Sequence, residues 1–148
     1  MKKLFFSLLM VGLLYGNVYA LKFGLEFQAG SQVLVGANFR LSHFIELKPQ
    51  LGLRFANDNN FFQLNANGNF YFPDLGKLQH YAGFEILISK ATNRDTDFGL
   101  GGHYGLRYDI NEVVSLFGEA GLIFMITPSS SLITNSSGVG VTFYILNR

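Results

Sequence analysis

The sequence of 148 residues predicts an all-β chain, an eight-stranded antiparallel up-and-down transmembrane β-barrel. Three observations carry that prediction. Beyond residue 20, segments of about ten residues alternate apolar and polar side chains, the period of a strand with one greasy face. Nearly every charge falls on the polar parity. No remaining stretch is a run of the ~20 apolar residues that a spanning helix needs, as expected where each crossing strand is only half apolar.

Met1 to Ala20 reads as a cleaved signal peptide. Lys2 and Lys3 form a charged start, Leu4 to Leu14 an apolar run too short to span a membrane, and Val18-Tyr19-Ala20 a small-residue end. Export through the Sec pathway is expected, leaving one domain over residues 21–148.

The first strand is expected over 21–29, with Leu21, Phe23, Leu25 and Phe27 opposite Lys22, Gly24, Glu26 and Gln28. Gly30-Ser31 turns the chain into a second strand, 32–41, where Val33, Val35, Ala37, Phe39 and Leu41 oppose Gly36, Asn38 and Arg40. After Ser42-His43 the third, 44–55, sets Ile45, Leu47, Pro49, Leu51, Leu53 and Phe55 against Glu46, Lys48, Gln50, Gly52 and Arg54. Pro49 donates no ladder hydrogen bond, so a bulge or a later strand start is expected there.

Asn57 to Asn60 is a strong turn signal. The fourth strand, 61–72, places Phe62, Leu64, Ala66, Gly68, Phe70 and Phe72 outward, with Gln63, Asn65, Asn67, Asn69 and Tyr71 inward. Pro73 to Lys77 breaks it. The fifth, 79–90, opposes Ala82, Phe84, Ile86 and Ile88 to Tyr81, Gly83, Glu85 and Ser89.

A polar loop, 92–97, leads to the sixth strand, 98–109, where Phe98, Leu100, Tyr104, Leu106 and Tyr108 oppose Gly99, Gly101, His103, Gly105, Arg107 and Asp109. The seventh, 114–126, sets Leu116, Ala120, Leu122, Phe124 and Ile126 against Ser115, Glu119 and Gly121. A Ser/Thr-rich loop over 127–137 precedes the eighth, 138–147, with Val139, Val141, Phe143 and Ile145 opposite Gly138, Gly140, Thr142 and Tyr144. An even strand number puts both termini on one side, expected to be the periplasm. The turns near 42, 74 and 111 then share that side, and the two longest links lie on the other.

Parity alone does not say which face is inside. The export signal, the abundance of phenylalanine (16) and the low charged fraction of 14% favour the polar face as the lumen. Lys22, Glu26, Arg40, Glu46, Lys48, Arg54, Glu85, Arg107 and Glu119, with His103, are then expected to form a lumen charge network. An eight-stranded barrel is just wide enough for its own side chains to fill. A Lys or Arg facing lipid at mid-membrane would cost about 2–4 kcal/mol.

Composition narrows the function. Loss of Lys2 and Lys3 leaves nine basic and ten acidic residues, so a nucleic-acid partner has no electrostatic support. Without cysteine there is no disulfide, thiolate metal site or thiol nucleophile. His43 and His80 are expected at strand ends, and the serines of 129–131 at the opposite rim, which argues against a Ser–His–acid lipid-modifying site. Gly99, Gly101, Gly102 and Gly105 lack dinucleotide-loop spacing and a following helix. No enzyme activity, cofactor or metal is expected. A structural or surface role is favoured over a narrow gated channel, with the lipid-modifying enzyme as a remoter alternative.

Tyr104-Gly105-Leu106-Arg107-Tyr108-Asp109-Ile110-Asn111, followed by Leu116-Phe117-Gly118-Glu119-Ala120-Gly121, resembles a hairpin of the small outer-membrane β-barrel family. That family includes the barrel domains of outer-membrane proteins A and X and their porin-like relatives. Gly140, Phe143 and Ile145 are similar to its terminal-strand signal, although the chain continues through Leu146-Asn147-Arg148 instead of ending on an aromatic residue. The resemblance implies residence in the bacterial outer membrane among its lipid and lipopolysaccharide. It also implies delivery by periplasmic chaperones to the barrel assembly machinery, and a monomeric state.

Overall fold

The computed structural model describes residues 22–30, 32–54, 60–72, 76–92, 95–127, 131–133 and 137–146. The expected signal peptide, the Asn57–Asn59 and Pro73–Leu75 turn residues, Ser31, and Ser129 and Ser130 lie outside them. The described strands are β1 (Lys22–Gly30), β2 (Val33–Arg40), β3 (Ile45–Arg54), β4 (Phe61–Tyr71), β5 (Leu78–Ala91), β6 (Thr96–Asp109), β7 (Val114–Thr127), β8 (Ser131–Ile133) and β9 (Gly138–Leu146).

Each neighbouring pair from β1 to β7 is antiparallel, β9 pairs with β7, and β9 also pairs with β1. The sheet therefore closes on itself as an eight-stranded barrel. The additional short strand, β8, is a correction to the expected 127–137 loop: Ser131–Ile133 pairs with Ile123–Met125 on β7.

The lower rim, where the strands meet at short turns, is level. Tyr71 donates its N–H to the Phe44 carbonyl at 2.9 Å, Asp109 to Lys77 at 3.1 Å and Tyr144 to Val113 at 2.7 Å. Each turn is thus tied to the adjoining strand. Asn111 closes one of them locally, its Oδ1 accepting from the N–H groups of Val113 and Val114, both at 2.8 Å.

Pro49 neither bulges β3 nor delays it. It stands opposite Ala66 in a regular register with β4, and the β2–β3 register is the same on either side of it, Gly36↔Gln50 and Phe39↔Leu47. The proline interrupts ladder bonds without displacing the strand.

Side-chain polarity is inverted relative to a water-soluble barrel. Leu25, Phe27, Leu47, Phe62, Phe84, Leu122 and Phe124 lie exposed on the outer wall, whereas Glu26, Glu46, Lys48 and Arg107 are fully buried. Phe117, on the inward parity of Ser115 and Glu119, is buried in the interior, as are Leu34, Leu87, Ile123 and Met125. The last three form one cluster near the long-loop rim, with Ile133 of β8 packed against it.

Glycine at position 105 makes room for an inward aromatic ring. A Cβ on Gly105 would fall 2.2 Å from Cζ of the Tyr81 ring, whereas one on outward Gly102 would meet nothing closer than the Gly83 carbonyl at 3.5 Å. Gly105→Ala is therefore expected to destabilise the barrel by about 1–3 kcal/mol through displacement of that ring. Gly102→Ala should be neutral or stabilise by up to about 1 kcal/mol, because a strand glycine is entropically costly. Urea unfolding midpoints in detergent micelles would separate the two.

Candidate functional site: the polar lumen

Strand alternation delivers Glu26 (β1), Glu46 and Lys48 (β3), Arg107 (β6) and Glu119 (β7) to the interior, and all are buried. Glu26 is the hub. Its carboxylate accepts from Lys48 Nζ at 2.9 Å and Arg107 Nη2 at 3.4 Å. It also accepts from Asn38 Nδ2 at 3.1 Å, Gln50 Nε2 at 3.0 Å and Thr142 Oγ1 at 3.0 Å.

Lys48 crosses to β7, where Nζ stands 3.1 Å from Glu119 Oε2, and the Tyr81 hydroxyl donates to the same oxygen at 2.8 Å. The Lys48 ammonium lies 4.5 Å from the centre of the Phe117 ring. Arg107 pairs with Glu46 through Nη1 and donates from that nitrogen to the Tyr144 hydroxyl at 2.7 Å. Asn69 Nδ2 at 3.0 Å and the Tyr71 hydroxyl at 2.9 Å also donate to Glu46. Two cations and three carboxylates thus share one lattice, with neutral donors supplying the hydrogen bonds that offset their desolvation.

The other expected lumen residues occupy different levels. Arg40 donates to Gln79 Oε1 at 2.8 Å and lies 4.5 Å from the Tyr71 ring centre. Lys22 lies near the termini, 5.3 Å from the Tyr144 ring centre. His103 Nε2 stands 2.7 Å from Asn69 Oδ1, and Glu85 is buried on β5 opposite Asn67 and Gly101. The side chain of Arg54 lies outside the described part. His80 is on the outer wall, its Nδ1 2.6 Å from the Tyr104 hydroxyl.

Tyr71, Tyr81 and Tyr144, which parity already placed on the polar face, join the expected charged residues in this network, and Phe117, which no charge or hydrogen-bonding group marks, lines it as well. The three terminal-strand residues do not share a face: Gly140 is inward beside the Phe117 ring, while Phe143 and Ile145 are exposed outside. Phe143 meets Phe27 edge-on, with ring centres 6.4 Å apart. Among the described residues no group of three His, Asp or Glu side chains is placed to hold a metal ion.

Comparison with solved structures places this geometry. The N-terminal β-barrel domain of Pseudomonas aeruginosa OprF superposes with a TM-score of 0.63 at 15% identity, covering 85% of this chain and 97% of that one. The chain has the fold of the small eight-stranded outer-membrane barrels. Neisserial surface protein A matches with a TM-score of 0.58 at 13% identity, over 84% of this chain and 94% of that one. A de novo designed transmembrane β-barrel matches with a TM-score of 0.56 at 15% identity, over 84% and 95%. At these identities the likeness is one of fold. No protein-family model and no curated protein matches the sequence.

Arg107→Ala removes a fully buried cation from between Glu46 and Glu26, and a loss of about 3–5 kcal/mol is expected. Neutralising the partner as well, in Glu46→Gln with Arg107→Ala, should recover part of that loss. Equilibrium unfolding of the single and double variants measures the difference.

Proposed function

We propose that this chain is a small integral protein of the bacterial outer membrane, with a filled polar lumen and a structural or surface role in the envelope. The observation that carries the reading is the inverted polarity: exposed apolar side chains sheathe the wall while charged ones are buried and paired inside. In water that wall would be an aggregating surface; in hydrocarbon it is the matched one. The first twenty residues would direct Sec export and be cleaved, leaving both termini and the level rim in the periplasm. The partners that follow are lipid, lipopolysaccharide, periplasmic chaperones and the barrel assembly machinery, the last reading Gly140, Phe143 and Ile145. A monomer is expected, with no catalytic function and no cofactor.

Closure of the lumen to free diffusion rests on two blocks in series. The ionic lattice bridges β1, β3, β6 and β7. Nearer the long-loop rim, Leu87, Ile123 and Met125 occupy the interior. A steady pore through both would require many buried contacts to break together.

Single cysteines in cells test the reading. At Phe70 and Leu122 they should react with a lipid-soluble probe, and at Asn67 an aqueous reagent should label poorly. Ready aqueous labelling at Asn67 alone would mean an open channel. Free aqueous labelling at Phe70 and Leu122, in protein recovered from the soluble periplasm, would remove the barrel from the membrane.

A further inference from the structure

The apolar wall is not of even height. Following ladder partners from Glu26 through Gly36, Gln50, Asn65, Leu87 and Gly99 leads to Met125, near the far end of β7. Such stagger tilts the strands by about 35–45° from the barrel axis. With the lower rim level, differences in strand length appear almost wholly at the upper rim. There β5, β6 and β7 have 14 residues each, against 9 in β1 and 8 in β2. The β1–β2 hairpin closes at once, Gly30 N–H donating to the Gln32 carbonyl at 3.1 Å.

Above Val114 and Leu41, which stand at the lower turns, outward apolar residues on β7 run from Leu116 to Ile126, and on β2 from Val33 to Phe39. At ~3.3 Å per residue and a tilt near 40°, these bands stand about 25 Å and about 15 Å tall. The taller value matches the usual apolar height of a membrane barrel, about 25 Å. The tall side does not stand clear in water, because Ile88, Leu100, Phe124 and Ile126 are all exposed high on its outer face, which turns polar only at the uppermost β5–β6 pair, Lys90 and Thr96. On the short side the band ends at Val33, which is 68% exposed.

We propose that the barrel makes contact with a bilayer it deforms, thinning the leaflet on the long-loop side where lipid meets the β1–β2 wall. The inference rests on the membrane reading above. A bilayer kept at the height of β7 would drive hydrocarbon against the polar turn of the β1–β2 hairpin. Thinning relieves that mismatch at a modest cost per ångström. The occupant of this face is therefore lipid, with acyl chains compressed beside Val33 and extended beside Ile126.

The chain contains no tryptophan, so single substitutions report depth without background. The test uses the purified protein in phosphatidylcholine vesicles brominated either near the headgroup or near the acyl terminus, with Val33→Trp, Ile126→Trp, Phe39→Trp and Tyr108→Trp. All four should lose more fluorescence to the shallow bromines, the first two marking the upper interface and the last two the lower. Preferential quenching of Val33→Trp by deep bromines would show an undeformed bilayer and overturn the proposal. Unequal depths for Phe39→Trp and Tyr108→Trp would replace thinning with tilt of the whole barrel. Protection of Val33→Trp from both lipids, with Ile126→Trp still quenched, would mean that a protein covers this face. Loss of quenching at Ile126→Trp as well would instead defeat the membrane reading itself.

Discussion

Closure is the constraint on which the rest depends. β9 meets β1 from Gly30↔Gly138 to Phe23↔Leu146 and meets β7 from Glu119↔Gly138 to Val114↔Phe143. An open sheet would leave a row of backbone N–H and C=O groups without partners, which costs several kcal/mol per group in an apolar medium. Once the last strand returns to the first, every side chain points either into a narrow interior or onto the wall. The alternation in the sequence then becomes a partition between two environments.

That partition produces an interior built on different physics from an ordinary core. Burial of apolar surface cannot organise it, since the apolar side chains are mostly outside. Directional bonds do so instead. Glu26 and Glu46 are surrounded by cations and by Asn, Gln, Thr and Tyr donors at hydrogen-bond distance. Removing one partner strands another, so the lattice is specific in a way that a greasy core is not. The Leu87–Ile123–Met125 cluster near the upper rim is the exception, a small conventional core within the polar one.

Much of the architecture was legible. The β4 alternation of Phe62, Leu64 and Phe70 with Gln63, Asn65, Asn67 and Asn69 survives as an exposed and a buried face. Pro49 misled because a missing donor resembles a break, yet the strand holds its register through bonds on either side. Ser131–Ile133 was illegible as a strand because three residues carry no periodicity. Their pairing depends on the free upper half of β7. Phe117 and Leu87 look like wall residues by type, and only their place in the alternation turns them inward.

The sequence by itself determined the number of barrel strands, the parity of nearly every side chain and the chemical character of each face, because period two is a local property of the backbone. Only the tertiary structure decided which charges meet. Lys48 and Glu119 are 71 residues apart and Arg107 and Glu26 are 81 apart. Those distances collapse through the stagger of the closed sheet, which no single strand encodes. The same stagger and the uneven strand lengths set the height of the wall on each side. A local pattern can say that a residue faces out, but its level relative to residues on the opposite side exists only after closure.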